Sequence, residues 1–369
     1  MTKSATKEGT MRYAQRFAGR AGNGHFRETQ RMVLSSLGIG TYLGQPDEKT
    51  DAAYTAAVVA AVENGINVID SAINYRFQRS EKSIGAALQQ LPAKGISREE
   101  IVLCTKGGYL TPEGSMPADP NEYFFREYIQ RGIFSAKALA AGSHCMTPTF
   151  LKDQLGRSLK NLGVECVDVY YLHNPETQLS EIAKPEFLQR VRAAFEFLES
   201  AVEAGEIRFY GMATWNGFRQ DPRARDAMQL AEIVQIAQEI AGGMHHFRFV
   251  QLPFNLGMPE ALTLGNQMLR EHARTLAEAA ADLDITVMAS ASLLQGQVAR
   301  NLPGFVAEAF GLENDAERAL QFARSAPGIT TALVGMSRLE HAKANARLVN
   351  VPPATVKEFS QLFSRGESV

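Results

Sequence analysis

The chain has 369 residues, of which 45% are hydrophobic and 21% are charged, a composition that can bury a sizeable core and argues against extended disorder. The 38 Lys and Arg side chains nearly balance the 40 Asp and Glu side chains, which leaves a formal net charge of -2. This balance excludes a general attraction to nucleic acid or to an anionic membrane, so a small molecule is the expected partner.

Cysteine usage and hydropathy predict a cytoplasmic location. None of the three cysteines stands in a CxxC pair, so neither a disulfide framework nor a zinc ribbon is indicated. Residues 1–10 are largely polar and no run of about eighteen apolar residues occurs, so neither export nor membrane insertion is predicted. The adjacent pairs His144-Cys145 and His245-His246 lack a clustered third ligand, and we expect no metal site.

Strand-like apolar runs alternate with helical periodicities along the chain. The predicted strands are, in order, 33–41, 67–70, 101–105, 167–172, 208–214, 249–252, 285–290 and 331–334. The predicted helices between and after them are 51–63, 80–91, 147–162, 188–202, 222–241, 266–283 and 337–347. Eight strands in alternation with helices predict an α/β fold, a single-domain (β/α)8 TIM barrel over residues 33–369.

Two segments fall outside this alternation. Residues 1–32 form an N-terminal extension, for which we predict a hairpin at the barrel floor. Residues 107–146 form a long, aromatic-rich insertion after the third strand. The insertion has two interpretations: a lid over the substrate, or a surface elaboration or dimer contact that buries its own aromatic side chains.

Four ionisable side chains stand at or just beyond the ends of three successive predicted strands. They are Asp70, Tyr75, Lys106 and His173. In a parallel β/α barrel the carboxyl ends of the strands meet at one rim, where catalytic residues converge. The sequence therefore predicts an active site at this rim.

The same residues carry a resemblance to a known family. Residues 65–75, GINVIDSAINY, resemble the aldo-keto reductase signature GxNxxDTAxxY, and residues 80–85, SEKSIG, resemble its SExxIG motif. Lys106 ends a strand in CTK, and residues 171–173 match the fourth-strand ending YxH. The resemblance extends over the chain after residue 32. It implies an NAD(P)H-dependent oxidoreductase that reduces an aldehyde, ketone or sugar carbonyl, or catalyses the reverse oxidation.

These residue types suit carbonyl reduction, which needs a hydride on carbon and a proton on oxygen. Tyr75 is the expected general acid, and a neighbouring Lys106 cation would favour its phenolate. Asp70 would hold Lys106 charged and oriented, while the His173 imidazole donates a hydrogen bond to the carbonyl oxygen. Two alternatives stay open: a nucleotide-binding regulatory barrel with little turnover, and a cofactor-independent isomerase or lyase in which Lys106 forms a Schiff base.

The expected cofactor is NADP, with NAD as the alternative. Glycines 38, 40 and 44 do not fit the Rossmann spacing, whereas the family resemblance implies a dinucleotide lying across the rim. Arg338 is the expected partner of a 2′-phosphate because a guanidinium binds phosphate through two donors. The implied cofactor-binding residues are Gly40, Thr41, Asp70, Thr214, Gln251, Ser290, Leu293, Gly335, Ser337, Arg338, His341 and Asn345.

Several positions depart from the family pattern. His341 stands where many relatives have arginine, residues 211–214 read GMAT instead of GxSN, and the seventh strand lacks the aromatic that often stacks on nicotinamide. Arg76 and Arg79 follow the tyrosine where small residues are usual, so they either attract an anionic or sugar-like substrate or are solvated surface. The candidate substrate residues are Tyr42, Arg76, Asn174 and Trp215. The motifs assign neither the substrate nor the oligomeric state.

Overall fold

The computed structural model describes residues 3–364, and its strands confirm the predicted parallel barrel. The strands are β1 (Phe26–Thr29), β2 (Met32–Ser35), β3 (Leu37–Gly40), β4 (Val68–Asp70), β5 (Val102–Gly107), β6 (Val167–His173), β7 (Ile207–Ala213), β8 (Phe247–Pro253), β9 (Gln267–Leu269), β10 (His272–Arg274), β11 (Thr286–Ser290) and β12 (Ile329–Gly335). The closed barrel is formed by β3 to β8, β11 and β12, with all neighbours parallel.

Helices surround the barrel and connect its strands. They are α1 (Lys7–Gln15), α2 (Glu48–Glu63), α3 (Arg79–Leu88), α4 (Pro120–Phe124), α5 (Pro148–Leu162), α6 (Lys184–Glu203), α7 (Leu230–Ala241), α8 (Glu260–Thr263), α9 (Leu276–Asp282), α10 (Gly304–Phe310), α11 (Asp315–Ser325), α12 (Leu339–Asn345) and α13 (Val356–Ser364). Helix α5 has the predicted ends, because Pro148 occupies its first turn and Gly163 closes it at a positive φ of 65°. Among the described residues, no helix is both long and apolar enough to cross a membrane.

The predicted first strand, 33–41, is wrong in one respect, because the structure divides it at Ser36. Its first half, β2, pairs antiparallel with β1, and its second half, β3, joins the barrel. The Ser36 amide donates to the His25 carbonyl, and the Ser35 amide donates to the side chain of Asn67. Both halves are buried, so they read as one apolar run in the sequence.

Two predicted helices are also too long. Residues 267–274 form the antiparallel hairpin β9–β10, with Arg270 and Glu271 at positive φ, and helix α9 starts only at Leu276. The Gln267 side chain holds this hairpin by accepting a hydrogen bond from the Leu230 amide at 2.8 Å. Residues 222–229 lie outside α7, which begins at Leu230.

The N-terminal extension contains α1 and the first strand of the β1–β2 hairpin. Met32 and Leu34 of the hairpin, together with Ala5, pack in one apolar cluster with barrel residues such as Val68 and Val102, which begin their strands. The Asn67 side chain donates to the carbonyl of Val33 at 2.9 Å. The hairpin therefore lies across the amino-terminal end of the barrel, which we call the floor.

The insertion 107–146 forms a small apolar cluster of its own. The ring centroids of Tyr128 and Phe134 lie 5.5 Å apart, and both rings contact Phe150 of α5. At its base the chain closes on itself, since Cys145 donates its amide to the Gly108 carbonyl and Leu110 donates to Ser143. Tyr128 and Phe134 are thus buried within the insertion and against α5, whereas Phe125 is 54% exposed, and a lid function stays a prediction.

Candidate active site

Lys106 and Asp70 form a buried ion pair at the carboxyl ends of β5 and β4. Lys106 Nζ lies 2.6 Å from Asp70 Oδ2 and donates to the Ser71 carbonyl at 2.7 Å, and the Lys106 residue is only 1% exposed. The other carboxylate oxygen, Asp70 Oδ1, accepts from Gln251 Nε2 at 2.8 Å. Burial lowers the pKa of Lys106, but the charges of Asp70 and Tyr75 raise it by more, so the pKa lies above its ordinary value. The side chain is therefore an ammonium at neutral pH.

Tyr75 lies beside this ion pair in the loop after β4. Lys106 Nζ is 5.2 Å from the centre of the Tyr75 ring. The rings of Tyr42 and His173 pack edge-to-face against it, with centroids 5.0 and 5.8 Å away. Burial raises the pKa of Tyr75, and the nearby Lys106 charge opposes this only in part. The raised pKa favours a neutral phenol that retains a proton to donate, as the predicted role of general acid requires.

His173 is the last residue of β6 and completes the group. Burial lowers the pKa of its imidazole well below the ordinary value, and the charge of Lys106 adds to that effect, so the ring is neutral at physiological pH. Its Nδ1 atom is buried and has no hydrogen-bond partner within residues 3–364. The structure thus brings together all four predicted residues, Asp70, Tyr75, Lys106 and His173.

Aromatic and amide side chains border this group. Tyr42 is 56% exposed and Trp215 is 41% exposed, so both present ring surface to solvent at the rim. Asn174 adopts the left-handed backbone conformation, and its side chain donates to the Tyr109 hydroxyl at 3.2 Å. Three of the four candidate substrate residues, Tyr42, Asn174 and Trp215, therefore remain compatible with contact to a bound molecule.

The remaining candidate, Arg76, is not placed for that role. Its guanidinium is buried, forms an ion pair with Asp51 at 2.6 Å, donates to Ser80 and Ser83, and lies over the Tyr54 ring. Arg79 contacts the same carboxylate at 2.6 Å. These cations hold helices α2 and α3 together, and Asp51 balances one of their two charges.

The predicted cofactor residues fall into two groups along the rim. Near the ion pair, the Thr214 amide donates to the Gln251 carbonyl at 2.8 Å, and the buried Thr214 hydroxyl has no partner in the described part of the chain. The Thr41 hydroxyl is fully buried and hydrogen-bonds to the Asp70 carbonyl and the Ser71 hydroxyl, so it is already engaged within the protein.

The second group surrounds the end of β12, where Gly335 pairs with Gly40 of β3. Past this strand, Arg338 and His341 are exposed, Ser337 is half-buried and Asn345 is buried in α12. The half-buried Ser290 and Leu293 stand at the end of β11 and in the loop after it. The predicted residues therefore occupy the carboxyl side of the barrel, Thr41 included, since it follows the end of β3.

Several buried polar residues that contact this rim are not among the predicted site residues. Oε1 of Glu176 accepts hydrogen bonds from the backbone amides of residues 215–217, at 2.7 to 3.4 Å, and so fixes the loop that carries Trp215. The His144 side chain contacts the His173 carbonyl, and Gln178 in turn contacts the His144 ring. In the sequence, His144 and Cys145 are distinguished only as an adjacent pair of possible metal ligands without a third. No group of three or more His, Cys, Asp or Glu among the described residues could hold a metal ion.

The closed barrel and its polar rim define a member of the (β/α)8 barrel class. The profile of the aldo/keto reductase family matches residues 36–303, and the chain belongs to this family. An aldo/keto reductase from Klebsiella pneumoniae, solved in complex with NADP and acetate, aligns with a TM-score of 0.62 at 19% identity over 93% of this chain and 95% of that one. The glycerol dehydrogenase of Gluconobacter oxydans aligns equally well, at 16% identity.

Curated relatives are distant in sequence. An NADH-specific methylglyoxal reductase of Escherichia coli is 27% identical over 50% of this chain and 50% of its own length. The uncharacterised oxidoreductase YqkF of Bacillus subtilis is 22% identical over 91% of this chain and 94% of its own. The alignments thus span about half the length of most of these relatives, and nearly all of YqkF.

Proposed function

We propose that the protein is an NADPH-dependent carbonyl reductase that converts an aldehyde, ketone or sugar carbonyl to the alcohol and catalyses the reverse oxidation. The observation that carries this proposal is the grouping of a neutral phenol, a buried ammonium-carboxylate pair and a neutral imidazole at one rim. A carbonyl oxygen that gains negative charge needs a hydrogen-bond donor and a proton donor, and this grouping supplies both.

Each side chain has a separate task. Tyr75 gives its phenolic proton to the carbonyl oxygen, and the adjacent Lys106 ammonium stabilises the phenolate that remains. Asp70 holds Lys106 in place, and Gln251 fixes the second oxygen of that carboxylate. The neutral His173 ring donates a hydrogen bond that orients the carbonyl. Because Lys106 is protonated and ion-paired, it is a poor nucleophile, which disfavours the Schiff-base alternative.

The residues at the rim fit a nicotinamide dinucleotide. When bound, NADPH supplies the hydride. The unpartnered Thr214 hydroxyl, within the described residues, is suited to hydrogen-bond a carboxamide, and the exposed Arg338 is suited to a 2′-phosphate. Two Klebsiella pneumoniae reductases of this fold were solved with NADP or NADPH, while the Escherichia coli relative is NADH-specific. We place NADP first because Arg338 is available, and NAD second.

The substitution Tyr75→Phe tests the proposal. It removes the proton donor and keeps the ring, so we expect carbonyl reduction to fall by about 10²- to 10⁴-fold, with cofactor affinity retained. The measurement is NADPH oxidation with a panel of aldehydes, ketones and sugars, together with cofactor titration by protein fluorescence. Near-normal turnover by the variant, or no turnover by the wild type with any carbonyl and either cofactor, would overturn the proposal.

A further inference from the structure

The backbone carbonyl of His173 is held by a second histidine. Its oxygen accepts a hydrogen bond from His144 Nε2 at 2.8 Å, and the His144 side chain is buried. The two residues come from different parts of the chain, since His144 belongs to the base of the insertion and His173 to the end of β6. The position of the imidazole therefore depends on a residue outside the barrel strands.

The polarity of this contact is fixed by a chain of donors and acceptors. Arg190 can only donate, so the Gln178 oxygen that receives its hydrogen bond must be the amide oxygen. The Gln178 amide nitrogen then donates to His144 Nδ1 at 2.8 Å. With Nδ1 as acceptor, the neutral ring carries its proton on Nε2, which donates to His173. Burial, the largest cause, lowers the pKa of His144 to about 4, so this tautomer persists at neutral pH.

The backbone leaves space for this hydrogen bond at Gly108. Its φ is +148°, and a Cβ at this position would lie 2.9 Å from His144 Nε2 and 3.0 Å from the His173 oxygen. Any other residue at position 108 would therefore push into the contact itself. The Tyr109 ring closes the same space, since its centroid lies 5.0 Å from that of His144 and 5.2 Å from that of His173.

We propose that His144 is a positioning residue for His173: it anchors the His173 backbone through its Nε2–H, is itself fixed by Gln178, and so sets where the imidazole meets the substrate carbonyl. The inference rests on the proposed reductase activity. It gives the base of the insertion a task in the reaction that is separate from any role as a lid.

The test compares His144→Leu, which removes the donor, with His144→Gln, whose amide nitrogen can still donate. We expect His144→Leu to lower kcat/KM for the carbonyl by about 10- to 100-fold, since a displacement of about 1 Å is enough for such a loss. Cofactor affinity should stay unchanged, and His144→Gln should recover most of the activity. Gln178→Leu removes the side chain that orients His144, so it should also lower kcat/KM, by a smaller factor.

The matched control is His245→Leu, which removes a buried histidine located before β8, at the opposite end of the barrel strands. It should lower stability and leave kcat/KM unchanged. Wild-type kinetics in His144→Leu, or equal losses in the Leu and Gln variants, would overturn the inference.

A readout independent of turnover separates this inference from the proposed function. In protein labelled with 13C- and 15N-histidine, the ring signals of His173 should shift in His144→Leu and return in His144→Gln. Unchanged His173 signals would overturn the positioning role even if the enzyme is active. Failure of the wild type to reduce any carbonyl would overturn only the proposed activity.

Discussion

The two ends of the barrel each contain a buried ion pair, but their surroundings differ. At the floor, Asp168 accepts from the Ala5 amide at 2.7 Å, from the Leu103 amide at 2.8 Å and from Arg98 at 2.8 Å, so both of its oxygens are satisfied by the protein. At the rim, Asp70 is equally satisfied, and within the described chain both ends keep buried atoms without partners, Arg98 Nε at the floor and His173 Nδ1 and Thr214 Oγ1 at the rim. The ends differ in what the carboxylates contact: Asp168 joins backbone segments of the fold, whereas the Lys106–Asp70 pair lies beside the Tyr75 ring, which packs against His173.

Removing the cation from each ion pair should give the largest difference in activity between the two ends. Lys106→Met should lower kcat/KM by about 10³-fold or more, because in the proposed reaction this charge stabilises the Tyr75 phenolate. The matched variant Arg98→Met should leave kcat/KM of the folded protein unchanged and lower only the melting temperature. The measurements are carbonyl reduction and thermal unfolding of both variants. A large kinetic loss in Arg98→Met would show that the two ends are not functionally distinct.

The floor carboxylate should matter chiefly for stability. Asp168→Ala leaves Arg98 and two backbone amides without their buried acceptor, and we expect a loss of about 3–5 kcal/mol in the free energy of unfolding. Hydrogen exchange should accelerate first at Ala5 and along α1, since Asp168 binds the chain just before that helix. Denaturant titration and exchange mass spectrometry measure both effects. Equal acceleration in the rim loops would contradict a local role.

The pH dependence of the unfolding free energy allows the buried histidines at the two ends of the barrel to be compared. Burial, as the largest cause, lowers the pKa of both His25, near the floor, and His144, near the rim, to about 4. An unfolded histidine takes up its proton near pH 6.5, so between these values unfolding binds a proton. Stability is therefore complete above about pH 6.5 and falls as the pH decreases, by about 1.4 kcal/mol per pH unit for each such histidine.

Urea unfolding from pH 7 to pH 5 tests this sign and its sources. His25→Gln and His144→Gln should each flatten the curve of unfolding free energy against pH relative to the wild type. Because the same acidic side chains titrate in all three proteins, the comparison isolates the histidines. A variant with the wild-type slope would mean that the replaced histidine is already protonated in the folded protein.

The smallest effect is expected at Arg79, which borders the rim but is ion-paired with Asp51. Arg79→Ala should change kcat/KM by less than about twofold, the range usual for surface substitutions. The change should be the same for carboxylate-bearing and neutral carbonyl substrates. A selective loss with the anionic substrates would restore the substrate role that the sequence suggested for this cationic pair.

The sequence predicted the barrel and its four rim residues because both follow from local patterns. Each barrel strand is a short buried run, and Asp70, Lys106 and His173 stand at the carboxyl ends of their strands. Parallel register then brings them to one rim without further information. The hairpin at residues 267–274 was missed, because its conformation depends on hydrogen bonds to residues near 230 that no local periodicity contains.

The hydrogen-bond and ion-pair partners of individual side chains also could not be predicted from the sequence. Arg76 appeared free for a substrate, yet its partner Asp51 lies 25 residues earlier in the chain. His144 and His173 are 29 residues apart, and only the folded insertion brings them into contact. The sequence therefore predicts which groups stand at the rim, whereas their hydrogen-bond partners depend on tertiary packing.

The closed base of the insertion separates its outer segment from the rim residues of the barrel. Cys145 and Gly108 are joined by a hydrogen bond, so the chain leaves the barrel and returns to it at a single neck. Segments beyond that neck carry their own apolar cluster. Residues 111–142, which lie beyond the Leu110–Ser143 hydrogen bond, can be lengthened, shortened or exchanged while His144, β5 and Lys106 keep their positions, so the surface beside the rim can vary without moving the residues that line it.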